Sequence, residues 1–262
     1  MISVGSGFSM ALNWINYLCF IVGYVNVVSF TVITAIVLKR NPKEKLNWIF
    51  ALSFFFLAIA YALLPTGAFV YTETNPTTMV NLTRIYAFFL FVALAILMLS
   101  ALAINYSTVF ILKWYIWLPI VIVIATLGGL IFATDIISAV PGPNPDIKTK
   151  PLFIYSYYPL SLIVALLIYI YFIRAYKLTT DENLKTSLKF FLAGLSICLF
   201  SIIPNILSNA LADIWENAQA LNGLEFIFVL IGTTVLLGGF LLKSRRKVIE
   251  SFQQQLQKVT TN

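Results

Sequence analysis

Residues 82–106 read LTRIYAFFLFVALAILMLSALAINY, and after Arg84 this stretch carries no charged side chain. About 20 consecutive apolar residues in a helix cross the roughly 30 Å hydrocarbon layer of a bilayer. The stretch is continuously apolar and does not alternate between polar and apolar residues. That pattern is typical of a spanning helix and not of a barrel strand. It therefore predicts one transmembrane helix.

Six further stretches of the same kind lie on either side of it, at 12–38, 46–70, 114–134, 152–175, 187–211 and 222–243. The 262-residue chain is 60% hydrophobic and only 10% charged, whereas soluble domains carry about a quarter charged residues. Residues before the first stretch include no basic residue, so a cleaved signal peptide is not indicated. We predict an all-α polytopic membrane protein, with seven transmembrane helices in residues 1–243 and a short amphipathic tail in residues 244–262.

The basic residues gather on one side of this predicted bundle. The loops and tail of that side hold Lys39, Arg40, Lys43, Lys45, Lys113, Arg174, Lys177, Lys185, Lys189, Lys243, Arg245, Arg246, Lys247 and Lys258. Only Arg84, Lys148 and Lys150 fall on the other side. The positive-inside rule then predicts a multi-pass protein of the cell membrane with its N-terminus outside and its C-terminus in the cytoplasm. The net charge of +7 is explained by these flanks, which meet lipid headgroups, and we expect no nucleic-acid partner.

The residues needed for several kinds of chemistry are missing from the sequence. Histidine is absent, which excludes a phosphoacceptor histidine, imidazole metal sites and serine–histidine catalysis. Cys19 and Cys198 are far apart in the sequence, and no GxxxxGK[ST] or GxGxxG loop is present. The only lysine of the seventh stretch, Lys243, lies at its end and not at the middle, where a retinal Schiff base would need it. We expect no enzymatic activity, no cofactor and no metal.

Polar residues in the sixth stretch follow helical spacing. Ser201, Asn205, Ser208, Asn209 and Asp213 recur at intervals that place them on one helix face. Pro204 lies within this stripe, and its missing backbone N–H favours a kink there. The stripe fits one wall of a cavity open to the outside. It fits equally a set of interhelical hydrogen bonds, worth roughly 0.6 kcal/mol each.

Two charged residues lie near the outer ends of the third and seventh stretches, namely Arg84 and Glu225. A charge at membrane depth is costly, so we expect either an ion pair that clasps helices together or a ligand site. In a ligand site, Arg84 could hold a carboxylate or phosphate. The candidate ligand-binding residues are Arg84, Asn205, Asn209, Asp213 and Glu225. Candidate walls are Tyr61, Tyr86, Tyr155 and Tyr158, although interfacial girdles also account for tyrosines.

Two further patterns concern packing. Gly232 and Gly239 lie one heptad apart in the seventh stretch and indicate close helix packing. In the tail, a heptad-like seam is formed by Ile249, Phe252, Leu256 and Val259. The seam predicts contact with a protein partner or a second copy of the chain, or else a helix resting on the membrane surface.

The last three stretches carry a family resemblance. Residues 155–211 read YSYYPLSLIVALLIYIYFIRAYKLTTDENLKTSLKFFLAGLSICLFSIIPNILSNAL. A helix that ends in basic residues, a short polar loop, a Pro204-Asn205 step and a basic juxtamembrane segment resemble the seven-transmembrane N-terminal region of prokaryotic sensor histidine kinases. The resemblance implies a sensor whose seventh helix passes a signal to an output domain. Because residues 244–262 carry no kinase, PAS or cyclase module, the signal would have to reach a separate partner.

The sequence thus favours a sensor or receptor-like module. It would bind a small or membrane-soluble ligand in its outer half and signal through the seventh helix and tail by a shift between two packed states. A non-catalytic accessory subunit of a larger membrane complex is the alternative. A small transporter is less favoured, because no repeated half is visible.

Overall fold

The computed structural model describes residues 5–40, 42–70, 76–133, 137–140, 146–180, 182–211, 221 and 223–241. Within these ranges nine helices and a two-stranded sheet follow one another along the chain. They are α1 (Gly5–Arg40), α2 (Lys45–Val70), α3 (Pro76–Tyr106), α4 (Thr108–Ile111), α5 (Trp114–Ala133), β1 (Ile137–Val140), β2 (Asp146–Thr149), α6 (Pro151–Leu178), α7 (Glu182–Phe200), α8 (Ile202–Leu211) and α9 (Gly223–Leu241).

Seven stretches of these helices are long and apolar enough to cross a membrane. They are Phe20–Arg40, Lys45–Leu63, Val80–Tyr106, Trp114–Phe132, Pro151–Leu178, Leu184–Ser208 and Gly223–Leu241. The predicted number of spanning helices is confirmed, and the chain is an integral multi-pass membrane protein. Residues 244–262, including the predicted heptad seam, lie outside the described residues.

Helix α3 lies at the centre of the bundle. It packs on α2, α5, α6 and β1, while α1 packs on α2 and α6 packs on α7. In its spanning window 67% of the residues are buried, against 17% in that of α5. Buried alanines along α3 let the neighbouring backbones approach closely. They are Ala87, Ala93, Ala95, Ala101 and Ala103.

The sixth span is a broken helix. Helix α7 ends at Phe200, Ser201 forms a turn, and α8 begins at Ile202. Pro204 has no N–H to donate to the carbonyl of Phe200, and its ring crowds that carbonyl, so the helical ladder is interrupted one turn earlier. Ser201 instead donates to the carbonyl of Cys198 from its backbone N at 3.2 Å and from Oγ at 2.7 Å. The predicted kink is therefore present, but it lies at Ser201 and not at the proline itself.

Helices α7 and α9 cross at a pair of glycines. A Cβ atom built on Gly232 would lie 2.8 Å from the carbonyl oxygen of Gly194, and one built on Gly194 would lie 2.7 Å from that of Gly232. A Cβ atom built on Gly239 would likewise lie 2.6 Å from the Cβ of Phe190. The close packing predicted from Gly232 and Gly239 is confirmed. The matching role of Gly194 on α7 was not predicted.

Two ends of the bundle can be told apart. The basic end is the one where α1 finishes at Arg40 and α2 begins at Lys45; the hairpin end is the opposite one, where β1 packs on α3. At the basic end Arg40 Nη2 donates to the carbonyl of Phe240 at 2.9 Å, which ties α1 to α9. Arg40 and Lys45 each lie at a helix terminus, where long basic side chains reach the membrane surface.

The described residues are almost entirely helical, in agreement with the all-α prediction, and the loop between α5 and α6 adds a two-stranded hairpin to them. Strands β1 and β2 pair antiparallel, with Ile137 opposite Thr149 and Val140 opposite Asp146. β-branched residues flank the Pro- and Gly-bearing residues 141–145, which favours a hairpin. Ile137 is only 2% exposed and belongs to a buried cluster with α3, α5 and α6, so the hairpin is packed onto the bundle.

Candidate functional site

The predicted ligand-binding residues fall into three groups in the structure. Asn205 and Asn209 belong to α8, and Asp213 lies outside the described residues. Two serines of the same predicted stripe, Ser201 and Ser208, are buried. Arg84 and Glu225 lie on α3 and α9 and are each half-buried.

Arg84 connects the bundle to the hairpin. Its Nη2 donates to the backbone carbonyl of Ile137 at 3.3 Å, from the first turns of α3 to strand β1. A hydrogen bond from a charged donor is worth about 1.5–3 kcal/mol. Arg84 therefore links a helix to the hairpin through a backbone carbonyl, which is a different contact from the predicted ion pair between helices.

Glu225 lies within electrostatic range of three tyrosines from three other helices. The charge of its carboxylate acts on the hydroxyls of Tyr61 on α2, Tyr86 on α3 and Tyr157 on α6. We call these four residues the tyrosine–glutamate cluster. Its members come from α2, α3, α6 and α9 and lie in the hairpin-side half of the bundle.

Packing and hydrogen bonds hold the three tyrosines in place. The rings of Tyr61 and Tyr86 lie edge to face, 6.1 Å apart. The Tyr157 hydroxyl donates to the backbone carbonyl of Ala87 at 2.9 Å. Its ring stacks on that of Phe153, with centroids 4.7 Å apart. Because their positions are set before any ligand arrives, little ordering would be required on binding.

The sequence identified part of this cluster. Tyr61, Tyr86 and Glu225 were named as candidates and are brought together. Tyr155 does not line the cluster: it is 79% exposed, because two residues of helix turn it to nearly the opposite side from Tyr157. Its exposure fits the other interpretation of these tyrosines, an interfacial girdle. Tyr158 is half-buried, and its ring lies 5.8 Å from that of Tyr157.

Tyr157 was missed, although a signal for it exists in the sequence. The buried face of α6 repeats every three or four residues and includes small side chains, which are typical of helix interfaces in membranes. Its members are Phe153, Tyr157, Ser161, Ala165, Ile168, Phe172 and Ala175. Starting from Ser161 and Ala165, that spacing selects Tyr157 and not Tyr155.

The cluster has the chemistry of a binding site. A carboxylate accepts hydrogen bonds and attracts cations, and a tyrosine hydroxyl both donates and accepts. A carboxylate at membrane depth is costly and marks a functional site by default. Within the ranges that the structure describes, no three or more Asp, Glu, Cys or His side chains come together to hold a metal ion.

Comparisons with known proteins assign this chain to no family. The chain matches no protein-family model, and no curated protein is similar to it in sequence. The resemblance to the membrane region of sensor histidine kinases therefore stays a prediction.

Proposed function

We propose that this protein is a sensor or receptor-like membrane module that binds a small or membrane-soluble ligand at the tyrosine–glutamate cluster. The observation that supports the proposal most is that tyrosines from α2, α3 and α6 lie within electrostatic range of Glu225 on α9. The rings of Tyr61 and Tyr86 are 6.1 Å apart, and the Tyr157 hydroxyl donates to the backbone of α3. Interhelical hydrogen bonding alone needs no carboxylate, which is the most expensive of these groups to keep in a membrane. Arg84 extends the proposed site toward the hairpin, and Asn205, Asn209 and Asp213 stay proposed ligand-binding residues.

Helix α9 is the proposed route of the signal. It carries Glu225 near one end, crosses α7 at Gly232 and packs Phe240 against α2 near the other. A ligand that favours one position of Glu225 would favour one packing of this rigid helix. The shift would then reach residues 244–262 and, through them, a separate protein partner or a second copy of the chain.

Replacing Glu225 with glutamine tests the ligand site. We expect Glu225→Gln to weaken ligand binding about 10- to 100-fold, because it removes a charge-assisted hydrogen bond but keeps the shape of the side chain. The measurement is native mass spectrometry of the purified protein, with the co-purified small molecule titrated back. Glu182→Gln is the matched control, since Glu182 is exposed and pairs only weakly, at 3.6 Å, with Lys185.

The same purification separates the two leading functions. A bound small molecule that is lost in Glu225→Gln and kept in Glu182→Gln supports the sensor. A stoichiometric protein partner with no small molecule would favour the accessory subunit and contradict the ligand site.

The orientation is part of the proposal. We propose that the basic end faces the cytoplasm of a cell membrane and the hairpin end faces outward, as the distribution of Lys and Arg favours. With Cys19 and Cys198 replaced, Ser138→Cys on the exposed face of β1 should react with an impermeant maleimide added to intact cells. Thr180→Cys, exposed at the basic end, should react only after the membrane is permeabilised. The reverse labelling pattern would invert the topology and remove the basis for an outward-facing ligand site.

A further inference from the structure

Asn26 is a polar side chain that the packing around it does not explain. It lies in the middle of α1, it is 0% exposed, and neither its Nδ2 nor its Oδ1 has a hydrogen-bond partner among the described residues. A buried group that loses its hydrogen bonds costs roughly 1–3 kcal/mol. A polar group in that condition in a native structure calls for an explanation, and an undescribed bound molecule is the usual one.

Three other buried polar side chains in the bundle interior are satisfied by their own helices, whereas Ser161 Oγ, like Asn26, has no hydrogen-bond partner among the described residues. Ser53 Oγ donates to the carbonyl of Phe50 at 2.7 Å, Ser100 Oγ to that of Ile96 at 3.2 Å, and Thr233 Oγ1 to that of Val229 at 2.7 Å. A hydroxyl can be satisfied in this way by one backbone carbonyl. The carboxamide of Asn26 has two donor hydrogens and an acceptor oxygen, so it needs a partner that both accepts and donates.

The register of α1 against α2 shows where Asn26 lies. Thr34 Oγ1 reaches the carbonyl of Ala51 at 3.4 Å, and one turn earlier the ring of Phe30 lies 5.9 Å from that of Phe54. One further turn along these antiparallel helices brings Asn26 level with Ala58, a small residue. Phe30 also lies 5.6 Å from Tyr61, a member of the tyrosine–glutamate cluster.

Helix α9 runs alongside the same part of α1. Leu18 lies beside Gly223, and Arg40 is bonded to Phe240, so the two helices are neighbours on both sides of Asn26. Asn26 is therefore enclosed between α1, α2 and α9, next to the cluster. A polar side chain in this position lies opposite a small residue and has no protein group among the described residues to satisfy it.

We infer that Asn26 anchors a bound hydroxyl group inside the bundle. The hydroxyl oxygen accepts a hydrogen bond from Nδ2 and its hydrogen is donated to Oδ1, which satisfies both ends of the carboxamide. Two sources have this chemistry: an ordered water molecule, or the hydroxyl of an organic ligand that reaches the cluster beside Tyr61. The second source rests on the proposed function, and the first does not.

Thermal unfolding of the purified protein tests the anchor. Asn26→Leu keeps the branching of the side chain and removes its hydrogen bonds, and we expect it to lower Tm by about 3–6 °C. Thr233→Val is the matched control, because that hydroxyl is equally buried and bonds only its own helix; we expect a change of less than about 2 °C. If Asn26→Leu raises Tm, the carboxamide holds nothing and the inference is overturned.

Asn26→Ser is a second test, which still applies if the leucine variant fails to fold. Serine leaves space for a water molecule and retains one hydroxyl, so its Tm should lie between those of the wild type and Asn26→Leu. If the leucine variant yields no protein, a Tm for Asn26→Ser at or above that of Thr233→Val would equally overturn the inference.

Native mass spectrometry distinguishes the sources of the hydroxyl. A small-molecule adduct that disappears in Asn26→Leu identifies the organic ligand, whereas a lowered Tm without any adduct identifies water; either result supports the anchor. If Glu225→Gln has no effect on any bound molecule while Asn26→Leu still lowers Tm, the proposed function fails and the anchored hydroxyl stands.

Discussion

Replacing Phe50 with alanine is expected to lower the free energy of unfolding by about 3–5 kcal/mol, the usual cost of removing a packed aromatic side chain. The ring of Phe50 contacts four other rings, at centroid distances of 5.2 Å to Phe54, 6.2 Å to Phe172, 5.7 Å to Phe191 and 6.2 Å to Phe240. One side chain therefore joins α2 to α6, α7 and α9.

The reason for this large effect is specific to a membrane protein. Lipid tails are as apolar as phenylalanine, so helices gain little from hiding it and are held by close packing instead. A cavity at the meeting point of four helices loses that packing on every side at once. Phe172 and Phe191, whose centroids are 4.3 Å apart, would keep only each other as close aromatic neighbours on that side.

Unfolding by dodecyl sulfate in mixed micelles measures the change. Phe55→Ala is the matched control, because Phe55 is on the same helix and is 50% exposed. Among the described residues its ring contacts only that of its neighbour Phe56, at 6.0 Å. We expect less than about 1 kcal/mol for the control, as for other surface positions. Equal losses in the two variants would show that the aromatic cluster does not hold the bundle together.

Replacing Gly232 with alanine is expected to destabilise the bundle by about 1–3 kcal/mol, the usual cost of overpacking. The added Cβ would lie 2.5 Å from Cys198 Sγ, 2.8 Å from the Gly194 carbonyl oxygen and 3.0 Å from the Cys198 backbone N. Two of these three atoms belong to the backbone of α7 and cannot rotate away. Helices α7 and α9 must therefore move apart.

Gly238→Ala on the same helix is the control for this substitution. A Cβ at Gly238 would meet no atom within 4 Å. Alanine is a better helix former than glycine by up to about 1 kcal/mol, so this variant should be neutral or slightly stabilised. The same unfolding assay compares the two variants. A Gly232→Ala protein as stable as Gly238→Ala would mean that α7 and α9 do not cross at these glycines.

Much of the fold was predictable because the bilayer imposes a simple rule. A backbone in hydrocarbon must satisfy its hydrogen bonds within its own segment, so length and apolar character are enough to mark a spanning helix. The seven spans were found in this way, and the break in the sixth was expected from Pro204. The break lies at Ser201, one turn before the proline, because Pro204 has no N–H to donate to the carbonyl of Phe200.

The hairpin and the partner of Arg84 could not be derived in the same manner. Short strands depend on pairing partners and on the surface beneath them, which local composition only partly indicates. Arg84 was expected to pair with a charge or bind a ligand. Its hydrogen bond to Ile137 became visible only once β1 was in contact with α3. A long side chain near a helix end can reach several partners, and the tertiary contact decides among them.

The sequence by itself determined the number of spanning helices, the gathering of basic residues at one end, the close packing at Gly232 and Gly239, and the presence of a costly acidic residue at Glu225. These depend on hydrophobicity, charge and residue size, which are properties of each segment alone. Only the tertiary structure decided that Tyr157 and not Tyr155 joins Glu225, that Gly194 faces Gly232, and that Asn26 is enclosed without a partner. Successive residues of a helix are turned by about 100° around its axis, so the orientation of the helix about that axis decides which side chains face the neighbouring helices. Packing between segments sets this orientation, and no single segment determines it.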